Sequence, residues 1–225
     1  MPRRKRSFPV EVRAFRASTY RFVESRTYGL PMGRIIVEQI ITADGFVQDS
    51  DGGMKFMNAA PIDSTDSDQI QLLERTGAIV LGRKTYEMFV DYWPAVDPAD
   101  EPVAALINSL PKHVVSNTID VAPWGSHREA TVLPGDPVAA LTRLRTDVDG
   151  DVLVWGSLRL TDALFNAGLV DVLRLRQIPS LIGDGRGPTP RDLDQVVISQ
   201  VALYAGSNWV TTEYALAPQS GSAPR

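Results

Sequence analysis

Cysteine is absent from the 225 residues. That excludes disulfide scaffolds, thiolate metal sites, iron–sulfur clusters and cysteine nucleophiles. Histidine is scarce: His113 and His127 are the only two. A catalytic metal centre built on several imidazoles is therefore not expected, and no metal site is assigned. No run of about 18 apolar residues occurs, so no transmembrane helix is expected. A net charge of −4 gives no overall attraction to nucleic acid or to an anionic membrane. Apolar residues make up 44% and charged residues 22%, an ordinary globular composition. The length suits one domain, with room for a tail. The expectation is a cytoplasmic protein that acts on a small molecule.

The average charge hides an asymmetry. Residues 1–31 carry eight cations (Arg3, Arg4, Lys5, Arg6, Arg13, Arg16, Arg21 and Arg26) against Glu11 and Glu24, a net +6. The remaining residues therefore carry −10. This leader has no clean apolar periodicity. It reads as a flexible basic arm that touches phosphates, as a transit-like segment without the apolar core of a secretory signal, or as a disordered stretch ahead of a true start at Met32. Residues 217–225, rich in Pro, Ser, Gly and Ala, read as a disordered tail.

Residues 32–216 alternate between strand and helix signals. The β-branched run Ile35, Ile36, Val37, Ile40 and Ile41 predicts a buried strand over 34–42. Residues 43–63 read as a loop. A short helix is expected over 64–76, with Ser64 or Thr65 as its cap and Gly77 as its end. Strands follow over 78–81, 112–116 and, more weakly, 130–133. A helical turn is expected from Thr85 and a helix over 102–110. Asp136-Pro137 is a strong helix start, Asp as cap and Pro at the first turn. Then come a strand over 151–154, a helix over 158–167 and a long strand over 170–179. Two last strands, 196–204 and 209–215, join around Gly206-Ser207-Asn208 as a hairpin. The pattern predicts a three-layer α/β sandwich. Its mixed, mostly parallel sheet has about eight strands and ends in an antiparallel hairpin.

Ligands of such sheets sit at the carboxyl ends of the strands, and four places there carry chemistry. Gly82-Arg83-Lys84-Thr85 puts a glycine, two cations and a hydroxyl at a helix start, where free N–H groups and the helix dipole favour an anion. It also reads as a plain strand-to-helix turn with a solvated basic pair. Gly156-Ser157-Leu158 offers small residues whose amides can cradle a pyrophosphate, though neither a G-x-G-x-x-G nor a P-loop spacing is present. It equally reads as a tight turn with a serine cap. Asp44, in Ala43-Asp44-Gly45, could bond a heterocycle edge or help protonate it, or simply form an Asp-Gly turn. Ser116 and Asn117 could line an adenosine site, or make an Asx-type turn.

In order and spacing these fragments resemble the dihydrofolate reductase-like family, in the branch of the riboflavin-biosynthesis reductase C-terminal domain. The carriers are Thr42-Ala43-Asp44-Gly45-Phe46; Ile79-Val80-Leu81-Gly82-Arg83-Lys84-Thr85-Tyr86-Glu87; Val154-Trp155-Gly156-Ser157; Leu164-Phe165-Asn166-Ala167-Gly168-Leu169-Val170-Asp171; and Ile178-Pro179-Ser180-Leu181-Ile182-Gly183-Asp184-Gly185. The resemblance implies an NADPH-dependent reductase acting on a pyrimidine- or pterin-type heterocycle. Arg83, Lys84 and Thr85, with Gly82, would then meet the 2′-phosphate. Gly156, Ser157 and Leu158 would meet the pyrophosphate, and Ser116 and Asn117 would lie near the adenosine. Asp44 would lie near nicotinamide and substrate as the catalytic residue. Phe46, Met54, Phe56 and Met57 would wall the substrate side, or else anchor their loop to the core. Trp93 and Trp124 read as core or interface aromatics. A homodimer is implied by the same resemblance.

Two departures stand out. The paired glycines of dihydrofolate reductases appear as Trp155-Gly156, and their helical acid has no secure counterpart, although Asp66 and Asp68 lie in the right region. No deaminase His-x-Glu or Cys-x-x-Cys signature is present, which excludes the bifunctional riboflavin enzyme. The alternative to a reductase is a dinucleotide-binding sensor or scaffold without turnover. A second alternative is that the basic leader makes this a nucleic-acid- or membrane-associated protein.

Overall fold

The computed structural model describes residues 33–59, 67–205 and 209–218. In chain order the elements are β1 (Ile35–Thr42), β2 (Gln48–Asp49), a 3-10 turn (Lys55–Ala59), α1 (Ser67–Glu74), β3 (Thr76–Gly82), α2 (Arg83–Val90), a second 3-10 turn (Trp93–Ala95), α3 (Val103–Ser109), β4 (Lys112–Val115), β5 (Ala122–Trp124), β6 (His127–Leu133), α4 (Pro137–Asp147), β7 (Asp151–Trp155), α5 (Leu158–Asn166), β8 (Val172–Ile178), β9 (Gly185–Arg186), β10 (Ile198–Ala205) and β11 (Val210–Leu216). Nine strands form one sheet in the order β10-β11-β8-β1-β7-β3-β4-β6-β5, while β2 and β9 pair separately. The centre, from β8 to β6, is parallel; β11 against β8, β10 against β11 and β5 against β6 are antiparallel.

Alternation along the central strands divides the core in two. Ile36 of β1 joins Leu72 and Leu73 of α1, Ile79 and Leu81 of β3 and Ile107 of α3 on one face. Ile35 and Val37 join Leu141 and Leu144 of α4 and Leu160, Leu164 and Phe165 of α5 on the other. Both faces of the central strands are thus covered, which explains their near-continuous apolar runs. The helix α4 starts as its sequence requires. Asp136 Oδ2 accepts a hydrogen bond from Ala139 N at 2.9 Å, with Pro137 in the first turn.

The structure departs from expectation in three places. The sheet has nine strands, because β5 also joins it, folding back on β6. Gly77 does not end α1 but lies inside β3. A Cβ there would stand 2.3 Å from the Asp149 carbonyl oxygen, so this glycine serves a close crossing of two backbones rather than a helix cap. The long segment 43–63 contains the pairing strand β2 and a 3-10 turn. The expected caps Ser64 and Thr65, the hairpin turn 206–208, the leader and the tail beyond 218 lie outside the described residues.

Candidate functional site

Because the central strands are parallel, their carboxyl ends share one edge of the sheet. Asp44 follows β1, Gly156 follows β7, Arg83 follows β3 and Ser116 follows β4, and in the sheet these strands stand in the order β1-β7-β3-β4. After β3 the chain enters α2 on one face, where Tyr86 is buried and Phe89 packs. After β7 it enters α5 on the other face. Two adjacent strands that send their helices to opposite faces leave a crevice between the two turns, the usual place for a ligand in an open α/β sheet.

These two turns touch. A Cβ on Gly82 would lie 2.5 Å from Ser157 Oγ and 3.1 Å from Ser157 N. A Cβ on Gly156 would lie 2.6 Å from Thr85 Oγ1. Gly156 has φ +53°, and its peptide bond to Ser157 is cis. Neither helix start is capped by a side chain: Gly82 has none, and Ser157 makes no capping bond. No acidic residue stands in the first turn of either helix. Two uncapped helix starts, each the positive end of a helix of eight or nine residues, therefore stand side by side. Arg83 is half-exposed beside them. Its pair with Glu87, at 3.7 Å and one helical turn away, is a solvated contact of small worth that leaves the guanidinium free to engage an anion.

Ser116 and Asn117 lie on the same edge, but their side chains are engaged locally. Ser116 Oγ accepts from Thr118 N at 3.1 Å, and Asn117 Oδ1 accepts from Gly135 N at 2.5 Å. They tie the end of β4 to the segment after β6.

Asp44 is exposed, and its carboxylate accepts from Ile182 N at 3.1 Å and Gly183 N at 2.7 Å. The Thr42 hydroxyl, then the Gly183 amide, hold its pKa below the ordinary carboxylate value. Asp44 therefore stays ionised and knits two loops together. Around it, Ala43 N donates to Ser180 O at 2.7 Å and Val47 N to Arg186 O at 2.8 Å. Arg186, in β9, also forms a double contact with Asp162 of α5 at 2.6 and 2.7 Å. Of the apolar residues in this region, Phe56 is buried, Met54 is exposed, and Phe46 packs beside Gly185.

Behind β7 lies a buried ion cluster with no counterpart in the sequence reading. Arg174 of β8, 1% exposed, contacts Glu38 of β1 at 2.5 Å, Glu213 of β11 at 3.1 Å, and Asp68 of α1. Glu38 also accepts from Trp155 Nε1 at 2.7 Å and from Gln69 Nε2 at 2.9 Å. Burial works against the Arg174 charge, but Glu38, Asp68 and Glu213 outweigh it and hold the pKa above its usual value. Burial is the largest influence on Asp68 and pushes its carboxyl up, against the pull of Arg174. The strand reads Val-Leu-Arg-Leu-Arg-Gln-Ile, whose alternation suggests a solvent-facing polar side. The only hint of its burial is a matching acid within the apolar β1 run. Among the described residues no group of His, Asp or Glu could hold a metal ion, and no helix is long and apolar enough to cross a membrane.

Residues 34–210 match the family model described as the RibD C-terminal domain. The uncharacterized protein YyaP of Bacillus subtilis (strain 168) is 25% identical over 162 residues, 71% of this chain and 82% of that protein. A putative riboflavin biosynthesis protein from Shewanella sp. PV-4 superposes with TM-score 0.64 at 20% identity, covering 82% of this chain and 99% of that one. Dihydrofolate reductase from Enterococcus faecalis, solved in complex with NADP(H), superposes with TM-score 0.52 at 12% identity over 82% of this chain and 97% of that one. At such identities the superpositions speak for the fold, which is dihydrofolate reductase-like, while the match over 34–210 covers most of the chain. The chain therefore belongs to the RibD C-terminal domain family.

Proposed function

We propose that the protein is an NADPH-dependent reductase of a small pyrimidine- or pterin-type heterocycle. The observation that carries this reading is the meeting of two uncapped helix starts at Gly82 and Ser157, with Arg83 at the rim. An extended, multiply anionic nucleotide suits that crevice. The amides of Gly156, Ser157 and Leu158 would take the shared charge of the pyrophosphate. Arg83, Lys84 and Thr85 would take the 2′-phosphate, for which a guanidinium fork is well shaped. Ser116 and Asn117 would border the adenosine. Relatives support the same reading: one structural neighbour is described as a putative riboflavin biosynthesis protein, and another, a dihydrofolate reductase, was solved with NADP(H).

Bound there, the reduced nicotinamide supplies hydride to a C=N or C=O carbon, and the protein supplies position and charge. Asp44, ionised and bonded to the Ile182 and Gly183 amides, holds the loops at the substrate end and presents negative charge to a heterocycle edge. Its lowered pKa suits orientation rather than proton donation. Phe46, Met54, Phe56 and Met57 shape that wall, with buried Phe56 acting as anchor.

The test is a titration of the full chain with NADPH and NADH followed by fluorescence or melting temperature, and then absorbance at the reduced-nicotinamide band with a panel of pterins and pyrimidines. Tighter binding of NADPH and its oxidation by at least one heterocycle are expected. Absence of dinucleotide binding would overturn the reading. Binding without oxidation across the panel would favour a non-catalytic dinucleotide sensor, an alternative that gains weight because the Asp44 carboxylate is already engaged by its own chain.

A further inference from the structure

The buried carboxylate of Glu38 is more than charge balance requires. Arg174 meets Glu38, Asp68 and Glu213, three acids for one guanidinium. Asp68 and Glu213 would neutralise it without Glu38. A surplus carboxylate out of water is costly unless further donors hold it. Glu38 has two, both neutral and both on Oε1: Gln69 Nε2 of α1 at 2.9 Å and Trp155 Nε1 of β7 at 2.7 Å. The second is a buried, charge-assisted bond that fixes the indole in one orientation. Trp155 is the last residue of β7, level with Glu38 of β1 on one side and with Leu81 of β3 on the other. The residues that follow Trp155 and Leu81 are Gly156 and Gly82, where the two touching turns begin. The indole also packs against Phe89 of α2, with ring centroids 5.6 Å apart at 54°. α2 is the helix that starts at Arg83. The ring is therefore tied to β1 by Glu38, to α2 by Phe89, and to the 156–158 turn by the chain itself.

We propose that Glu38 is a positioning residue for the dinucleotide crevice, holding the Trp155 indole so that the 156–158 turn keeps its place against the 82–85 turn. This role rests on the dinucleotide reading and deepens it. Glu38 is buried and acts through the indole. Turn amides serve a pyrophosphate only when they are held within about 0.5 Å of the productive place, which a supporting shell of packing and hydrogen bonds provides. A carboxylate suits this task and an amide does not. Both Glu38 oxygens accept, Oε1 from Trp155 and Gln69 and Oε2 from Arg174. A glutamine would turn its NH2 group toward one set of these donors, and the charge of Arg174 would claim its oxygen. The indole would then lose its acceptor.

Titration of the full chain with NADPH and with NADH tests this. Trp155→Phe keeps an aromatic ring beside Phe89 and removes the Nε1 donor without altering any charge. It should weaken both dinucleotides alike, by about tenfold, because the pyrophosphate is common to them. Glu38→Gln should do the same. The two losses should not add: with Trp155→Phe already present, Glu38→Gln should change affinity by less than about twofold. Glu213→Gln disturbs the same ion cluster without touching the indole. It should lower the unfolding midpoint and leave both affinities unchanged. In the wild-type chain the Trp155 indole N–H resonance, identified by its loss in Trp155→Phe, should move when either dinucleotide is added. That resonance and Trp155→Phe decide the matter even where Glu38→Gln lowers stability. A wild-type chain that binds neither dinucleotide would remove the dinucleotide reading and the role of Glu38 together. With binding intact, full affinity in either single variant, additive losses, equal weakening by Glu213→Gln, or an indole resonance indifferent to dinucleotide would each overturn the role of Glu38 alone.

Discussion

Gly82 leaves no room for a methyl group beside Ser157: a Cβ there would stand 2.5 Å from the serine hydroxyl and 3.1 Å from its backbone nitrogen. The obstacle is partly backbone, so the neighbour cannot simply rotate away. Gly82→Ala should spread the two turns and weaken dinucleotide binding by about tenfold or more, equivalent to about 1.4 kcal/mol. Adding Ser157→Gly, which removes the hydroxyl and its carbon, should recover part of the loss. Titration of the single and double variants checks this, and an unchanged affinity in Gly82→Ala would show that the contact does not shape the site.

Arg83→Ala should weaken NADPH much more than NADH. The 2′-phosphate is the difference between them, and a guanidinium–phosphate contact is charge-assisted. The existing pair with Glu87 is solvated and contributes little to stability, so the melting temperature of the free protein should hardly move. Equal losses for the two dinucleotides would remove Arg83 from its assigned place.

Asp44→Asn should lower turnover while leaving dinucleotide affinity nearly intact. The same carboxylate also makes a pH prediction. Its folded pKa lies below the ordinary 3.8, so the loop clasp is fully present above that value. It is lost as pH falls through the lower folded value. The Gly183 amide resonance should report this titration with a midpoint below 3.8. A midpoint at the ordinary carboxylate value would mean that the clasp is not formed in solution.

Arg174→Met should cost about 3–5 kcal/mol in urea unfolding at neutral pH, because it strands Glu38, Asp68 and Glu213 without their buried counter-charge. The sign with pH follows from Asp68, whose folded pKa is raised above 3.8. A raised carboxyl favours the fold when protonated, so its contribution is present below 3.8 and is lost as pH rises through the folded value. Without Arg174 that rise should be larger, and the deficit of the variant should therefore shrink at mildly acidic pH. A deficit independent of pH would contradict this account.

The strands of the centre were legible because both of their faces are covered, so β3 and β7 read as apolar runs and β1 as one interrupted only by Glu38 and Gln39. The start of α4 was legible because Asp136-Pro137 satisfies a local rule that no tertiary contact overrides. The positions of 82–85 and 156–158 followed from strand ends, since parallel strands must deliver their following turns to one edge. Gly77 misled because a helix cap and a close backbone crossing call for the same residue. The cluster around Arg174 was hidden for a different reason. Period-2 alternation says which side of a strand is polar but not whether a helix covers it, and α1 does cover it. What each site side chain bonds to was also out of reach. That Asp44 reaches Ile182 and Gly183 depends on where a loop almost 140 residues further along the chain is laid down.

That last connection has a consequence for any hybrid of related proteins. The stretch carrying Asp44 and β2 and the stretch carrying Ile182, Gly183 and β9 are two halves of a single fastening, locked to α5 through Arg186 and Asp162. Neither half has its shape without the other. Exchanging the first stretch for that of a homologue would import a buckle without its strap, and only a paired exchange would carry the donor's loop conformation across intact.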